Sequence, residues 1–361
     1  MWINDEVDLP EALIAAQHDG RLVIFAGAGV SMGPPSDLPS FEALADVVAQ
    51  GVLPRKPGEA LDGFLGRVEQ HGVDIQMRTR KIIDVSTSVA RDLHHSIVKL
   101  FRDEDSLRLV TTNFDRHFTA AAKTQYPTSD IFIGPALPLG REFAGLVYLH
   151  GAVENARAHL VLTDRDFGQA YLADGWATRF LMEMFRKYAV LFVGYSHQDP
   201  VMRYLARSFV GGTERYSLTP PGLDDFWANL GVVPVHFPLR TSGEKYGAID
   251  TALLSWSKRA GMGAFDHKAR ITQLAEAPPP VDPESLDYLR SVLKESVTLK
   301  FFIETAARIE WLRWAEDEGF FGPLVDATMI TSAEPRMLAY WFAERYVVAH
   351  PGGKTINKTG H

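Results

Sequence analysis

Six short apolar segments, separated by longer helical patterns, constrain the fold of this chain most strongly. Each is bounded by glycine or polar residues and has the length of a buried parallel strand. The segments are residues 21–26, 107–111, 145–149, 159–162, 189–193 and 232–237. Helical patterns cover residues 8–20, 115–123, 174–188, 199–210 and 246–259. This alternation predicts an α/β fold, a doubly wound Rossmann-like parallel sheet with right-handed crossovers.

The chain has more helical sequence than such a sheet needs. Residues 40–103 carry helical apolar stripes, whereas one crossover needs only about a dozen residues, so we expect a helical insert subdomain there. Four prolines between residues 276 and 283 predict a linker. The sheet domain is therefore expected over residues 1–275. Residues 284–350 are predicted to form a C-terminal helical extension, as a domain or the start of a helical array, and residues 351–361 a disordered tail.

Composition excludes several functional classes. The formal net charge of −8 argues against direct nucleic-acid binding. No apolar run approaches the roughly 20 residues of a membrane helix, and the acidic N-terminus lacks the layout of a signal peptide. We therefore expect a cytoplasmic protein with no membrane partner. Cysteine is absent, which excludes a cysteine-ligated zinc, and the histidines lack the spacing of metal ligands, so no metal site is predicted.

The first apolar segment runs into a glycine loop, Gly27-Ala28-Gly29-Val30-Ser31-Met32. Glycines after a strand let a backbone approach a pyrophosphate closely, with N–H donors at a helix start. The usual dinucleotide loop has glycine or alanine where this chain has Met32, and glycines after a strand also serve simple tight turns. The loop alone therefore does not identify a nucleotide site.

Three further predicted strands also end in polar or glycine residues, at 111–115, 150–151 and 194–200. Ligands of open α/β sheets bind beyond the carboxyl ends of the strands, so these segments are expected to share one edge. Each also has a structural interpretation. Asp115 and Asp199 suit helix caps, and a lone histidine such as His150 is more often structural than catalytic.

In combination and order, these four segments resemble the sirtuin family. The motifs are Gly-Ala-Gly-x-Ser from Gly27, Thr-x-Asn-x-Asp from Thr111, Leu-His-Gly from Leu149 and Gly-x-Ser-x-x-Asp from Gly194. Residues 160–167 are similar to the segment that follows the histidine in prokaryotic sirtuin-like NAD hydrolases of antiphage defence. The resemblance covers about residues 10–260. In a sirtuin-type loop, Met32 is no obstacle.

The resemblance implies that NAD is the substrate and assigns site residues. Asn113 would position the nicotinamide ribose and the attacking water, and His150 would act as a general base on the ribose hydroxyls. Asp115 would bind the carboxamide of nicotinamide. The implied NAD-binding residues are Gly27, Ala28, Gly29, Ser31, Asp115, Gly194, Ser196 and Asp199.

The chain also departs from the sirtuin deacylases. It lacks the four cysteines of their zinc module, and Thr112 replaces the usual glutamine. The resemblance thus predicts a zinc-free NAD hydrolase that releases nicotinamide and an ADP-ribose product and depletes cellular NAD in abortive-infection defence. Expected partners are further copies in a homo-oligomer and a phage-derived or protein activator. The alternatives are a zinc-free protein deacylase or ADP-ribosyltransferase, and a catalytically silent sensor that binds NAD or ADP-ribose.

Overall fold

The computed structural model describes residues 1–140, 142–154, 159–195, 214–321 and 333–349. The chain forms two compact units, Glu6–Gly261 and a second that combines Met1–Asp5 with the chain from Met262 onward. No helix of these residues is both long and apolar enough to cross a bilayer.

The first unit is built on a seven-stranded sheet, which confirms the predicted α/β class. The strands are β1 Leu22–Ala26, β2 Arg108–Thr111, β3 Ile131–Ile133, β4 Gly145–Tyr148, β5 Ala189–Val193, β6 Arg215–Thr219 and β7 Val233–His236. Their order is β3-β4-β2-β1-β5-β6-β7, and every neighbouring pair is parallel. The chain leaves β1 toward β2 and later returns to β5 on the other side. The switch point of the sheet is therefore at β1.

Helices cover both faces of this sheet, as its fully buried central strands require. They are α1 Glu11–His18, α2 Phe41–Ala49, α3 Leu61–Gln70, α4 Ile75–Ile83, α5 Asp92–Val98, α6 His117–Gln125, α7 Asp164–Phe167, α8 Trp176–Lys187, α9 Asp224–Ala228 and α10 Gly247–Ala260. Helices α2–α5 fill the long interval between β1 and β2, where the sequence predicts an insert. The insert has its own apolar cluster, in which Leu44, Phe64 and Leu65 pack with Phe114 from the loop after β2.

The second unit is helical. Its helices are α11 Ala264–Glu276, α12 Pro283–Val292, α13 Ser296–Thr305, α14 Ile309–Asp317 and α15 Ala333–Ala349. Phe302 packs edge-on against Trp311 and Trp341, with ring centroids 5.1 and 5.6 Å apart. The indole nitrogen of Trp311 donates to the carbonyl oxygens of Ala275 and Ala277. The C-terminal part of this unit therefore begins at Met262, whereas the helical extension was predicted from residue 284, because α11 contributes to the aromatic core.

Several predicted elements differ from the structure. Residues 159–162 are not a strand: the Val161 amide donates to the carbonyl of His150, and Leu160 and Leu162 pack into the insert cluster. Strands β3 and β6 lie where none was expected. In β6, Arg215, Ser217 and Thr219 interrupt the apolar pattern although all are buried. The helix predicted over 199–210 and the tail 351–361 lie outside the described residues.

Candidate functional site

The glycine loop after β1 closes on the end of β5. The amides of Gly27 and Gly29 donate to the carbonyl oxygens of Val193 and Gly194, both at 2.9 Å. A Cβ on Gly29 would lie 2.8 Å from the Cα of Gly194, which has a φ of +62°. Two backbones therefore touch here, and glycine is required because any side chain would separate them.

This close approach gives a stability prediction. Gly29→Ala should destabilise the first unit by about 1–3 kcal/mol, as overpacking does elsewhere. Gly63→Ala is the matched control, since Gly63 lies within α3 and an alanine Cβ there would meet no neighbouring atom within 4 Å. The control should be neutral or stabilising by up to about 1 kcal/mol. Urea denaturation of both variants measures this, and equal stability of the two would contradict the packing argument.

Ser31, Asn113 and Asp115 meet in one buried hydrogen-bonded cluster. The Ser31 hydroxyl donates to Oδ2 of Asp115 at 2.9 Å, and Nδ2 of Asn113 donates to Ser31 Oγ at 3.2 Å. All three residues are at most 7% exposed. Three residues from the predicted set, which come from the loops after β1 and β2, thus share one point at the carboxyl edge of the sheet.

Local contacts fix the loop after β2. Phe114 is anchored in the insert cluster between the two polar residues that flank it. Oδ1 of Asp115 accepts from the amide of His117 at 3.0 Å, at the start of α6. Asp115 therefore binds the first amide of α6 as well as belonging to the cluster. Among the described residues, Oδ1 of Asn113 is buried without a hydrogen-bond partner.

His150 follows β4, the neighbour of β2. The amide of Leu149 donates to the carbonyl of Thr111, and that of Val153 to the carbonyl of Phe114, so the two loops run side by side. Nε2 of His150 lies 2.7 Å from the hydroxyl of Tyr171, and its ring packs edge-on against Phe167. Burial lowers the pKa of His150 to about 3. The imidazole is thus neutral at working pH and a weaker base than the ordinary histidine that the sequence predicts.

The buried histidines predict acid sensitivity. Burial also lowers the pKa of His94 to about 3. Because both values lie below the ordinary 6.5, the unfolded chain binds more protons than the folded chain between about pH 3 and 6.5. The stability from each neutral histidine is complete above pH 6.5 and is lost as the pH falls, by roughly 2 kcal/mol at pH 5. Asp250, whose pKa burial raises to about 6, offsets roughly 1 kcal/mol of this.

The free energy of unfolding should therefore be lower at pH 5 than at pH 7. Urea titrations at the two pH values measure the difference, and the variant His150→Leu should show a smaller one. Equal or greater stability of the wild-type protein at pH 5 would show that these imidazoles are not held neutral by the fold.

The remaining predicted residues stand as follows. Gly194 lies against the glycine loop, whereas Ser196 and Asp199 lie outside the described residues. Within the described part of the chain, the amide of Ala28 has no backbone acceptor.

A metal site was not predicted. Among the described residues, no group of three or more histidine or carboxylate side chains is placed to hold a metal ion. The absence of zinc stays a prediction.

Sequence reasoning missed two residues of this region. His94, from α5 of the insert, contacts Ser31 Oγ through Nε2 at 3.1 Å. Tyr171, the partner of His150, lies on a π-helical segment, Gly168–Ala173, a rare element that is frequent at functional sites. The sequence marked only the preceding residues 160–167, through their similarity to the segment that follows the histidine in sirtuin-like NAD hydrolases. Nothing in the sequence marked the contact between residues 31 and 94.

Comparison with known proteins finds a family model that matches part of this edge of the sheet. Residues 107–229, which include Asn113, Asp115, His150 and Gly194, match the family model described as a SIR2-like domain. Residues 107–229 are thus similar to a SIR2-like domain. The match agrees with the resemblance inferred from the motifs, three of which begin within these residues.

The SIR2-like chain also has a curated relative and a structural neighbour. It is 28% identical to the uncharacterized protein y4cA of Sinorhizobium fredii (strain NBRC 101917 / NGR234), over 93% of the present chain. The match spans 30% of the length of y4cA. A solved structure described as "Structural Basis for the Mechanism and Regulation of Sir2 Enzymes" aligns with a TM-score of 0.35 and 15% identity, and covers 69% of this chain and 98% of its own.

Proposed function

We propose that this SIR2-like protein hydrolyses NAD to nicotinamide and an ADP-ribose product. The SIR2-like domain supports an NAD-related function in general. The observation that carries the finer proposal is the buried oxygen Oδ1 of Asn113, which has no hydrogen-bond partner among the described residues. A buried carbonyl without a partner costs about 1–3 kcal/mol, so a bound molecule that donates a hydrogen bond to it is favoured.

The reaction would break the bond between nicotinamide and C1′ of the ribose, and nicotinamide would leave with the bonding electron pair. The ribose then carries positive charge, a water oxygen forms the new bond to C1′, and that water releases one proton to solvent. Oδ1 of Asn113 would accept a hydrogen bond from this water or from a ribose hydroxyl. The amide of Ala28 would serve the phosphates, since those of Gly27 and Gly29 already donate to β5 and its loop.

His150 would hold the ribose hydroxyls. Its role as an acceptor requires that Nε2–H donates to Tyr171 Oη, which leaves the lone pair on Nδ1 for the substrate. With its pKa lowered by burial, His150 would orient a ribose hydroxyl by accepting its hydrogen bond, and that hydroxyl would become a stronger donor as the ribose becomes positive. Asp115, beside Ser31, would lie near the departing nicotinamide.

Hydrolysis can be separated from acyl transfer by isotope labelling. Purified protein with NAD in ¹⁸O-enriched water should yield ADP-ribose that carries one solvent oxygen, at the same rate with and without an acyl-lysine peptide. Nicotinamide release that requires the peptide would assign a deacylase instead, and a product without solvent oxygen would assign cyclisation or group transfer.

We extend the proposal to NAD depletion in antiphage defence, by a cytoplasmic homo-oligomer under the control of a phage-derived or protein activator. The support is the resemblance of the motif set to defence NAD hydrolases. Measuring cellular NAD after phage infection, with and without the intact gene, tests this extension. An NAD pool that stays equal in the two strains would contradict it.

A further inference from the structure

His94, in α5 of the helical insert, is the third side chain that hydrogen-bonds to Ser31. Ser31 Oγ has three neighbours within hydrogen-bond distance: Oδ2 of Asp115, Nδ2 of Asn113 and Nε2 of His94. A hydroxyl group has one proton and two lone pairs. Because the carboxylate of Asp115 can only accept, the Ser31 proton goes to it. Ser31 must then accept one hydrogen bond from each of the other two side chains.

The tautomer of His94 agrees with this assignment. The amide of Arg91 donates to Nδ1 of His94 at 3.2 Å, so the ring proton is on Nε2 and points to Ser31. The ring is fully buried and packs edge-on against His117 and Phe118, with centroids 5.3 and 4.8 Å away. Desolvation and the neighbouring His117 lower the pKa of His94. A neutral imidazole with one fixed donor is the result.

Arg91 holds this arrangement in place at the start of α5. Its guanidinium group makes ion pairs with Glu244 and Asp250, both at 2.8 Å. The side chain is only 10% exposed, so these pairs limit the movement of the backbone amide that donates to His94.

The arrangement determines which end of the Asn113 amide faces outward from the cluster. If the amide were turned over, its oxygen would meet a Ser31 oxygen whose proton is already given to Asp115, and two acceptors would oppose each other. The NH₂ group must therefore face Ser31. The carbonyl oxygen Oδ1 is left at the other end, where it has no partner among the described residues.

We propose that His94 is a positioning residue that acts through Ser31 to orient the Asn113 amide, so that Oδ1 faces a hydrogen-bond donor of the bound nucleotide or of the attacking water. The proposal rests on the proposed NAD hydrolysis. It adds a residue from the helical insert, more than 60 positions away from Ser31 in the sequence, to the apparatus of the site.

Kinetics of three variants test the proposal. His94→Leu removes the donor, and kcat for nicotinamide release should fall about tenfold or more with a smaller change in KM. His94→Gln keeps a donor near the position of Nε2 and should retain most of the activity. His95→Leu is the matched control on the same helix, because His95 is outside the cluster, and its kcat should be unchanged. Equal losses in His94→Leu and His95→Leu, or no loss in His94→Leu, would overturn the positioning role.

A spectroscopic measurement on the wild-type protein does not depend on activity or on the folding of variants. With ¹⁵N-labelled histidine, His94 should show a protonated Nε2 and an unprotonated Nδ1 at every pH from 5 to 8, and Ser31→Ala should shift the Nε2 resonance. A proton on Nδ1, or titration of His94 within this range, would overturn the proposal even if NAD is hydrolysed. The expected tautomer in a protein that releases no nicotinamide would instead overturn the proposed function while the hydrogen-bond assignment stands.

Discussion

Asn113→Ala is expected to lower the rate of nicotinamide release from NAD at least about 100-fold, the order of loss that follows removal of one positioning group at a reacting centre. The variant removes Oδ1, the acceptor proposed for water or a ribose hydroxyl. It also removes the Nδ2 donor to Ser31, but the remaining contacts of Ser31 with Asp115 and His94 can persist. The change in melting temperature should therefore be small compared with the change in rate.

A matched control separates chemistry from stability for this residue. Asn229 is exposed at the end of α9, and its change to alanine should leave both the rate and the melting temperature unchanged. Initial rates measured by chromatography, together with thermal melts, provide the comparison. Normal turnover in a folded Asn113→Ala protein would remove Asn113 from the catalytic assignment.

His150→Ala has the second large expected effect, a loss of about 10²–10⁴-fold in the same rate. The physical reason is loss of the acceptor that we propose to hold the ribose hydroxyls as positive charge develops. Tyr171→Phe removes the hydroxyl that contacts Nε2 but keeps the ring packed against Phe167, and its loss should be roughly tenfold.

His236→Ala is the control for His150, because His236 is an exposed histidine paired with Asp224 in the same unit. It should turn over NAD as the wild-type protein does. If His150→Ala and His236→Ala are equally active, or if Tyr171→Phe is more impaired than His150→Ala, the role assigned to His150 is wrong.

Much of the fold could be predicted because its signals are local. Strands β1, β4 and β5 are apolar runs, which parallel sheets buried on both faces require, and β2 has the apolar pair Leu109 and Val110 at its centre. Strand β6 could not be found in this way, since its polar residues are buried by tertiary contacts: the Arg215 guanidinium lies over the ring of Phe185. Residues 159–162 were wrongly predicted to form a strand, because apolar residues that fill the insert core have the same sequence pattern as a buried strand.

The same distinction applies to the site. Ser31, Asn113 and Asp115 could be grouped in advance, because parallel strands place their carboxyl ends at one edge. His94 could not, since its contact depends on how the insert folds over that edge, and its position among apolar residues of α5 indicated only packing. The low pKa of His150 could not be predicted from the sequence either. It arises from burial, and the rings of Phe167 and Tyr171, which pack against His150, come from a segment that follows β4.

The unit boundary also depended on tertiary structure. The prolines between residues 276 and 283 end one helix and begin the next, as their backbone chemistry requires. They do not mark the border of the compact units, which lies between Gly261 and Met262. Ile271 and Ala275 of α11 are buried in the aromatic cluster of the second unit, and no local pattern indicates which neighbour a helix will join.

NAD hydrolysis is measured most directly by chromatography of NAD after incubation with the purified protein. We expect NAD to be consumed, and nicotinamide and an ADP-ribose product to appear in equal amounts. The variant that combines Asn113→Ala with His150→Ala should leave NAD intact while it melts as a folded protein. Intact NAD in the presence of the wild-type protein, or equal nicotinamide release by the double variant, would show that this edge of the sheet does not hydrolyse NAD.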